Sequence, residues 1–163
     1  MAAAHRRPEH LIGAVVIAMS LSGCAAAPQS QDAESANAEY REEAETLKLA
    51  PGWLWPTQPY LGHGPDGRGA SYGIGIGRVD ASFYWFCSWG RSLDDPNMPA
   101  STHSNVLAVD DTAFYRLGLD VDGQKYWQDE VLEPATNGDF EPMMETVELN
   151  CPLESDSEMH LDG

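Results

Sequence analysis

The sequence predicts a mainly α-helical, small single domain with glycine-rich and extended loops. The chain has 163 residues, which is the size of one ordinary domain. Apolar residues recur at helical spacing in several segments that are bounded by Asp, Gly or Pro. Of the 15 aromatic residues, 14 lie between Trp53 and Cys151, so the residues that can form a core are confined to that stretch.

The charge balance argues against a nucleic-acid partner. The chain carries 9 Lys and Arg against 26 Asp and Glu, which gives a formal net charge of −17. Binding to a phosphate backbone needs a clustered basic surface, whereas the basic residues after residue 23 are scattered singly. We therefore expect a partner protein with a basic surface, whose attraction to this chain weakens as salt increases.

The N-terminus has the organisation of a secretory signal peptide. Two basic residues, Arg6 and Arg7, precede an uncharged apolar run over residues 11–21. This run is shorter than the about 20 residues that a membrane-spanning helix needs. It ends in Leu21-Ser22-Gly23-Cys24, which has the form of a lipobox, and the leader resembles those of bacterial lipoprotein precursors.

The resemblance implies that residues 1–23 are a signal peptide and that the thiol of Cys24 receives a diacylglyceryl group. Two acyl chains anchor a protein stably to a bilayer. The resemblance therefore implies a lipid-anchored protein on the extracytoplasmic face of the cell membrane. The alternative is a secreted protein that is cut near residues 25–27, in which Cys24 is incidental.

With Cys24 assigned to the lipid, two cysteines remain in an extracytoplasmic compartment. An even pair in such a compartment predicts a disulfide between Cys87 and Cys151. The bridge would close a loop of 151 − 87 = 64 residues. The alternative is a pair of buried free thiols.

The composition divides the mature chain into four segments. These are a flexible tether (24–32), an acidic amphipathic helix (33–50), a disulfide-stapled domain (53–152) and a disordered acidic tail (153–163). The predicted helix has a thin apolar stripe that includes Ala36 and Tyr40, and Pro51-Gly52 ends it.

Residues 79–89 are the most apolar segment of the mature chain and predict a centrally buried helix. Asp80 or Ser82 can cap its start, and its aromatic residues pair at i, i+4 spacing. Aromatic residues also favour strands, so a buried strand is the alternative. The aromatic residues around Cys87 resemble those of small uncharacterised actinobacterial envelope proteins, a similarity that implies no activity.

Three further helices are predicted in the second half of the chain. One covers residues 113–117 after the capping run Asp110-Asp111-Thr112, and the next covers residues 124–132. The apolar positions of residues 124–132 are Tyr126, Trp127 and Val131. The last helix has Asp139 as N-cap and a stripe of Phe140, Met144, Val147 and Cys151. This stripe turns Cys151 toward the core, where it can meet Cys87.

A glycine-rich segment carries the motifs that suggest catalysis. Gly69-Ala70-Ser71-Tyr72-Gly73 matches the nucleophile-elbow pattern of hydrolases, with His103 and His160 as possible bases. No apolar strand precedes the serine, so an ordinary glycine-rich loop is favoured. Glycines alternate over residues 73–77 before the apolar helix, where an anion could bind, but their spacing is not that of a dinucleotide fingerprint.

Two sets of residues suggest ligand binding. The weak metal candidates, for calcium, are Asp120, Asp122 and Asp129. An acidic turn between helices is the favoured interpretation of these carboxylates. The possible stacking residues for a cell-wall glycan are Trp53, Trp55, Trp85 and Trp89. A mainly structural role is favoured for these tryptophans.

The function predicted from these observations is that of a lipid-anchored protein-interaction or envelope-accessory module without catalysis. We expect no cofactor. The first alternative is a ligand-binding module for a cell-wall glycan or calcium, which would need exposed tryptophans or converging carboxylates. The second is a small hydrolase that uses Ser71, which would need a histidine at hydrogen-bond distance.

Overall fold

The computed structural model describes residues 30–153. The elements in chain order are β1 (Ser30–Gln31), α1 (Ala33–Thr46), β2 (Tyr72–Gly73), α2 (Ile76–Gly90), α3 (Thr102–Leu107), a 3₁₀ segment (Ala108–Asp111), a first π-helical segment (Phe114–Gly118), α4 (Val121–Tyr126), a second π-helical segment (Trp127–Leu132), α5 (Glu133–Thr136) and α6 (Glu141–Asn150). The prediction of a mainly helical, small single domain is confirmed.

The predicted signal peptide, Cys24 and the predicted tail beyond residue 153 lie outside the described residues. Most of the predicted flexible tether (24–32) also lies outside the described residues. Two of its last residues form a strand, which the prediction of a flexible tether did not anticipate. Ser30 and Gln31 form β1, which pairs antiparallel with Gly73 and Tyr72 of β2. Within residues 30–153, no helix combines the length and the apolar character needed to cross a bilayer.

Helix α1 begins as the sequence predicts and ends earlier. The Asp32 carboxylate accepts a hydrogen bond from the Ser35 N–H at 2.9 Å, which caps the helix start. The helix ends at Thr46 instead of continuing toward residue 50, because Leu47 takes an extended conformation with φ −112° and ψ 143°. The extended chain that follows places Leu49 in the core and frees backbone groups to bond with α2.

Helix α2 is the central element, and its prediction as a helix is confirmed. It is buried on most of its faces, as its apolar sequence requires. The predicted caps Asp80 and Ser82 are wrong, because the helix begins earlier, at Ile76. Gly75 precedes it in the left-handed region, with φ +88°, and makes no side-chain cap of its own.

The helix predicted for residues 113–117 is a π-helical segment that starts at Phe114. Thr112 precedes it in an extended conformation, and its Oγ1 accepts from the Tyr115 N–H at 3.4 Å. The predicted helix over residues 124–132 is part of a longer helical run, from α4 through the second π-helical segment to α5. Pro134 does not end this run, because it stands in the first turn of α5, where its missing N–H is not needed.

Of the predicted apolar positions of residues 124–132, Tyr126 lies at the surface, with 58% of its surface exposed. Trp127 and Val131 of the same run are buried. Successive residues of a helix point in different directions, so the ring of Tyr126 lies at the surface while the adjacent Trp127 is buried.

The predicted position of helix α6 in the chain is confirmed, but the residues predicted for its buried face are not all buried. Met143 and Val147 are its buried positions, whereas Met144 is only partly buried. Phe140 is the cap residue, and the Asp139 carboxylate accepts from the Glu141 N–H at 3.1 Å. The helix therefore starts one residue later than predicted, which turns its buried face.

Cys87 and Cys151 form the predicted disulfide, with sulfur atoms 2.05 Å apart and Cα atoms 5.3 Å apart. The bond joins the last turn of α2 to the residue that directly follows α6. Arg91, one turn beyond Cys87, donates to the backbone carbonyls of Cys151 and Pro152. The covalent bond and these two hydrogen bonds hold the end of α6 against α2.

Candidate functional site

Two of the four candidate stacking residues belong to the core. Trp85 and Trp89 are buried, one turn apart on α2. Both indole N–H groups donate to the carbonyl oxygen of Lys48, at 3.0 and 2.9 Å. The rings therefore tie the chain after α1 to α2, and their faces are not open to a ligand.

Trp53 and Trp55 are only partly buried and lie on the surface of the same core. Trp53 meets Tyr84 edge-on, with ring centroids 5.5 Å apart. Trp55 packs against Tyr84 at 5.7 Å and against Tyr40 at 5.8 Å. These aromatic contacts fix both rings in the extended segment between α1 and β2, so their structural role is clear while part of each ring stays exposed.

The nucleophile-elbow motif does not have the geometry of an elbow in the described structure. Ser71 is exposed and lies directly before β2, whereas an elbow places the serine between a strand and a helix. The two candidate bases do not help to assemble a site. His103 stacks on Phe140, with ring centroids 4.3 Å apart, and His160 lies outside the described residues.

The possible anion site at the start of α2 is occupied by the protein itself. The Glu39 carboxylate of α1 accepts from the Gly75 N–H at 2.9 and 3.0 Å and from the Gly77 N–H at 3.3 Å. It also accepts from the side-chain amide of Gln31 at 2.9 Å. A carboxylate is favoured at a helix N-terminus, where free N–H groups and the helix dipole converge. Glu39 thus takes the position that a bound phosphate would need.

A buried polar cluster lies between α1, α2 and the extended segment. The amide side chain of Asn37 clamps the backbone of Tyr60, donating to its carbonyl at 2.9 Å and accepting from its N–H at 3.1 Å. The Tyr60 hydroxyl in turn donates to the Asp80 carboxylate at 2.5 Å. Burial raises the pKa of the Asp80 carboxyl, and the hydrogen bond from Tyr60 opposes this rise.

The other tyrosine of this cluster differs in its hydrogen bonding. The Tyr40 side chain is buried, yet its hydroxyl has no hydrogen-bond partner among residues 30–153. Burial raises the pKa of the hydroxyls of both Tyr40 and Tyr60. Both phenols are therefore neutral at physiological pH, and the cluster has the character of a structural network between helices.

The three calcium candidates do not converge. Asp120 caps α4 by accepting from the Gly123 N–H at 2.8 Å. Asp129 pairs with Lys125 one turn before it, and Asp122 is exposed in the first turn of α4. Among residues 30–153, no group of three or more His, Cys, Asp or Glu side chains is placed to hold a metal ion. The acidic turn is explained by capping and ion pairing.

A surface feature that the sequence did not suggest lies beside α6. The partly exposed Phe83 and Phe114 form the aromatic floor of a groove of about 330 Å³, and the buried Trp127 packs against Phe114 and supports it. Tyr126 and Leu149 stand at its edge, with 58% and 75% of their surfaces exposed. Residues from α2, from the first π-helical segment, from the junction of α4 with the second π-helical segment and from α6 meet here only in the folded chain, so no local sequence pattern marks the groove.

Comparison of the chain with protein-family models, with curated proteins and with solved structures finds no match.

Proposed function

We propose that this protein is a lipid-anchored accessory module of the cell envelope, which binds a partner protein on the extracytoplasmic face of the membrane without turnover. The lipobox at Leu21-Ser22-Gly23-Cys24 supports the anchor and the location. The disulfide between Cys87 and Cys151 supports an oxidising, extracytoplasmic compartment.

The observation that carries the proposal is the unbalanced acidity of the surface. Three of the described basic residues pair with neighbouring carboxylates, namely Arg68 with Asp66, Arg116 with Asp111 and Lys125 with Asp129. Arg91 is held by backbone carbonyls. The exposed carboxylates of α1 and α6 include Glu34, Glu42, Glu45, Glu141, Glu145 and Glu148. A surface of this sign attracts a basic protein and speeds its encounter.

The lipid anchor is tested on the N-terminal peptide of the protein purified from membranes. Mass spectrometry should show a peptide that begins at Cys24 and carries a diacylglyceryl group. A Cys24→Ala variant should accumulate as an unprocessed precursor, because the thiol that receives the lipid is absent. A matched Ser22→Ala variant should be processed normally. An unmodified N-terminus at residue 25 or later would contradict the anchor.

The binding role is tested by crosslinking the full-length protein in native membranes at increasing ionic strength. We expect a basic partner whose recovery falls markedly between roughly 0.05 and 0.5 M salt, because the Debye length shortens from about 14 to about 4 Å over this range. A Ser71→Ala variant should capture the same partner equally well. Ester or peptide hydrolysis that this variant abolishes would favour the hydrolase, and salt-insensitive binding of a neutral glycan would favour the ligand-binding module.

A further inference from the structure

The groove beside α6 has a floor built to bind apolar groups. Phe83 packs on Phe114 with ring centroids 4.6 Å apart, and Phe114 meets Trp127 edge-on at 5.2 Å. The Phe86 ring supports Trp127 from the core side at 5.4 Å. These contacts hold the aromatic rings in place in the unbound protein. Binding would therefore cost little side-chain conformational entropy in this protein.

The edge of the groove adds exposed apolar surface. Leu149 is 75% exposed and Tyr126 is 58% exposed, and both line the groove. A volume of about 330 Å³ lies within the range of ligand sites in proteins, roughly 300–1,000 Å³. A cavity of this size accommodates one or two large apolar side chains of a partner beside Tyr126 and Leu149.

The charge around the groove selects the partner. Glu145 lines the groove, and it also lines a second cleft with Glu141, Glu148, Asp94 and Arg91, whose guanidinium is held by the carbonyls of Cys151 and Pro152. Helix α6 contains three glutamates and no Lys or Arg. Within residues 30–153, no basic side chain forms an ion pair with these glutamates. Glu145 therefore places a carboxylate with no ion-pair partner among residues 30–153 beside the aromatic floor, and such a carboxylate is complementary to Lys and Arg.

The same charges disfavour two other occupants. The residues of this chain after residue 153 carry four acids and no Lys or Arg, so they would be repelled by the glutamates at the rim. A second copy of the chain would bring a net charge of −17 to the same acidic surface. Neither has the basic residues that the rim requires.

We infer that the groove between α6 and the aromatic floor docks a cationic amphipathic segment of the partner protein, with one or two large apolar side chains on Phe83 and Phe114, which the buried Trp127 supports, and flanking Lys or Arg on Glu145. This inference rests on the proposed function and names the surface that performs it. Recognition of an apolar anchor in a groove with a charged rim is a common mode of peptide binding.

The test uses two labelled probes of equal charge, Lys-Lys-Leu-Leu-Lys-Lys and Lys-Lys-Gly-Gly-Lys-Lys, titrated with the full-length protein in phosphatidylcholine nanodiscs. Empty nanodiscs give the background. The leucine probe should bind about tenfold more tightly, because only its side chains bury apolar surface in the groove. Leu149→Ser should remove most of this difference, and Glu145→Gln should weaken both probes a few-fold.

Two exposed positions outside the groove provide matched controls. Val121→Ser removes an exposed apolar side chain, and Glu34→Gln removes an exposed carboxylate on α1, so neither should change the affinity of the leucine probe. Equal melting temperatures would show that all four variants are folded.

The possible outcomes distinguish failure of the groove as a docking site from failure of the proposed binding function. If both probes bind equally, with the expected salt dependence, and Leu149→Ser has no effect, the groove is not the docking site while the proposed acidic binding surface stands. If neither probe binds and crosslinking finds no salt-sensitive basic partner, both proposals fail. Binding of the leucine probe that Val121→Ser reduces as much as Leu149→Ser would also overturn the groove.

Discussion

Replacing both Cys87 and Cys151 with alanine is expected to lower the free energy of unfolding by about 4 kcal/mol. The disulfide closes a loop of 64 residues, and an unfolded chain without this loop has more conformations available to it. Typical domains are stable by only roughly 5–15 kcal/mol, so the loss is a large fraction of the total. The melting temperature should fall by about 10–20 °C.

Alanine at both positions avoids a lone buried thiol, which could form mixed disulfides. Thermal unfolding of the full-length protein, followed by circular dichroism, gives the shift. Adding a reductant to the parent should lower its melting temperature by a similar amount, whereas the double variant should not respond. A double variant that melts within a few degrees of the parent would show that the bridge contributes little.

The features that the sequence predicted are those with a local or compositional signal. The number of cysteines and the compartment that the leader predicts were sufficient to predict the pair Cys87 and Cys151, although these residues lie far apart in the chain. Helical spacing of apolar residues was sufficient for α2 and for the position of α6. Each of these signals can be detected in a short window or by counting one residue type.

The features that were missed depend on pairs of residues distant in sequence. Glu39 looks like one more solvated acid of α1, yet it caps α2 through Gly75, 36 residues away. Asn37 clamps Tyr60 across 23 residues in the same way. The carbonyl of Lys48 receives two indole N–H groups only because the chain leaves α1 after Thr46. Tertiary bonding decided these positions, and no periodicity in the sequence carries that information.

The docking groove was missed for a related reason. Tyr126 was predicted as an apolar position of the helix over residues 124–132, whereas its ring lies at the surface in the structure. Leu149 stands on the exposed side of α6, where an isolated apolar residue is ordinary in any sequence. Only their position on either side of the Phe114 and Trp127 rings gives the two residues a common role.

Gly77→Ala is expected to destabilise the protein by about 3 kcal/mol or more, because α1 and α2 touch at this glycine. A Cβ at residue 77 would lie 2.3 Å from the carbonyl oxygen of Ala36 and 2.7 Å from the backbone nitrogen of Tyr40. Both are backbone atoms of α1 and cannot move aside as a side-chain end would. The helices must separate, which disturbs the bonds from Glu39 to the start of α2.

The intrinsic preference of a helix for alanine works in the opposite direction and favours the variant by only about 1 kcal/mol. The steric effect is therefore expected to dominate, and urea unfolding should show a clear fall in the midpoint for Gly77→Ala. Gly73→Ala is the matched control, because a Cβ at residue 73 would meet no atom within 4 Å. If both variants unfold at the midpoint of the parent, the close contact of α1 with α2 at Gly77 is wrong.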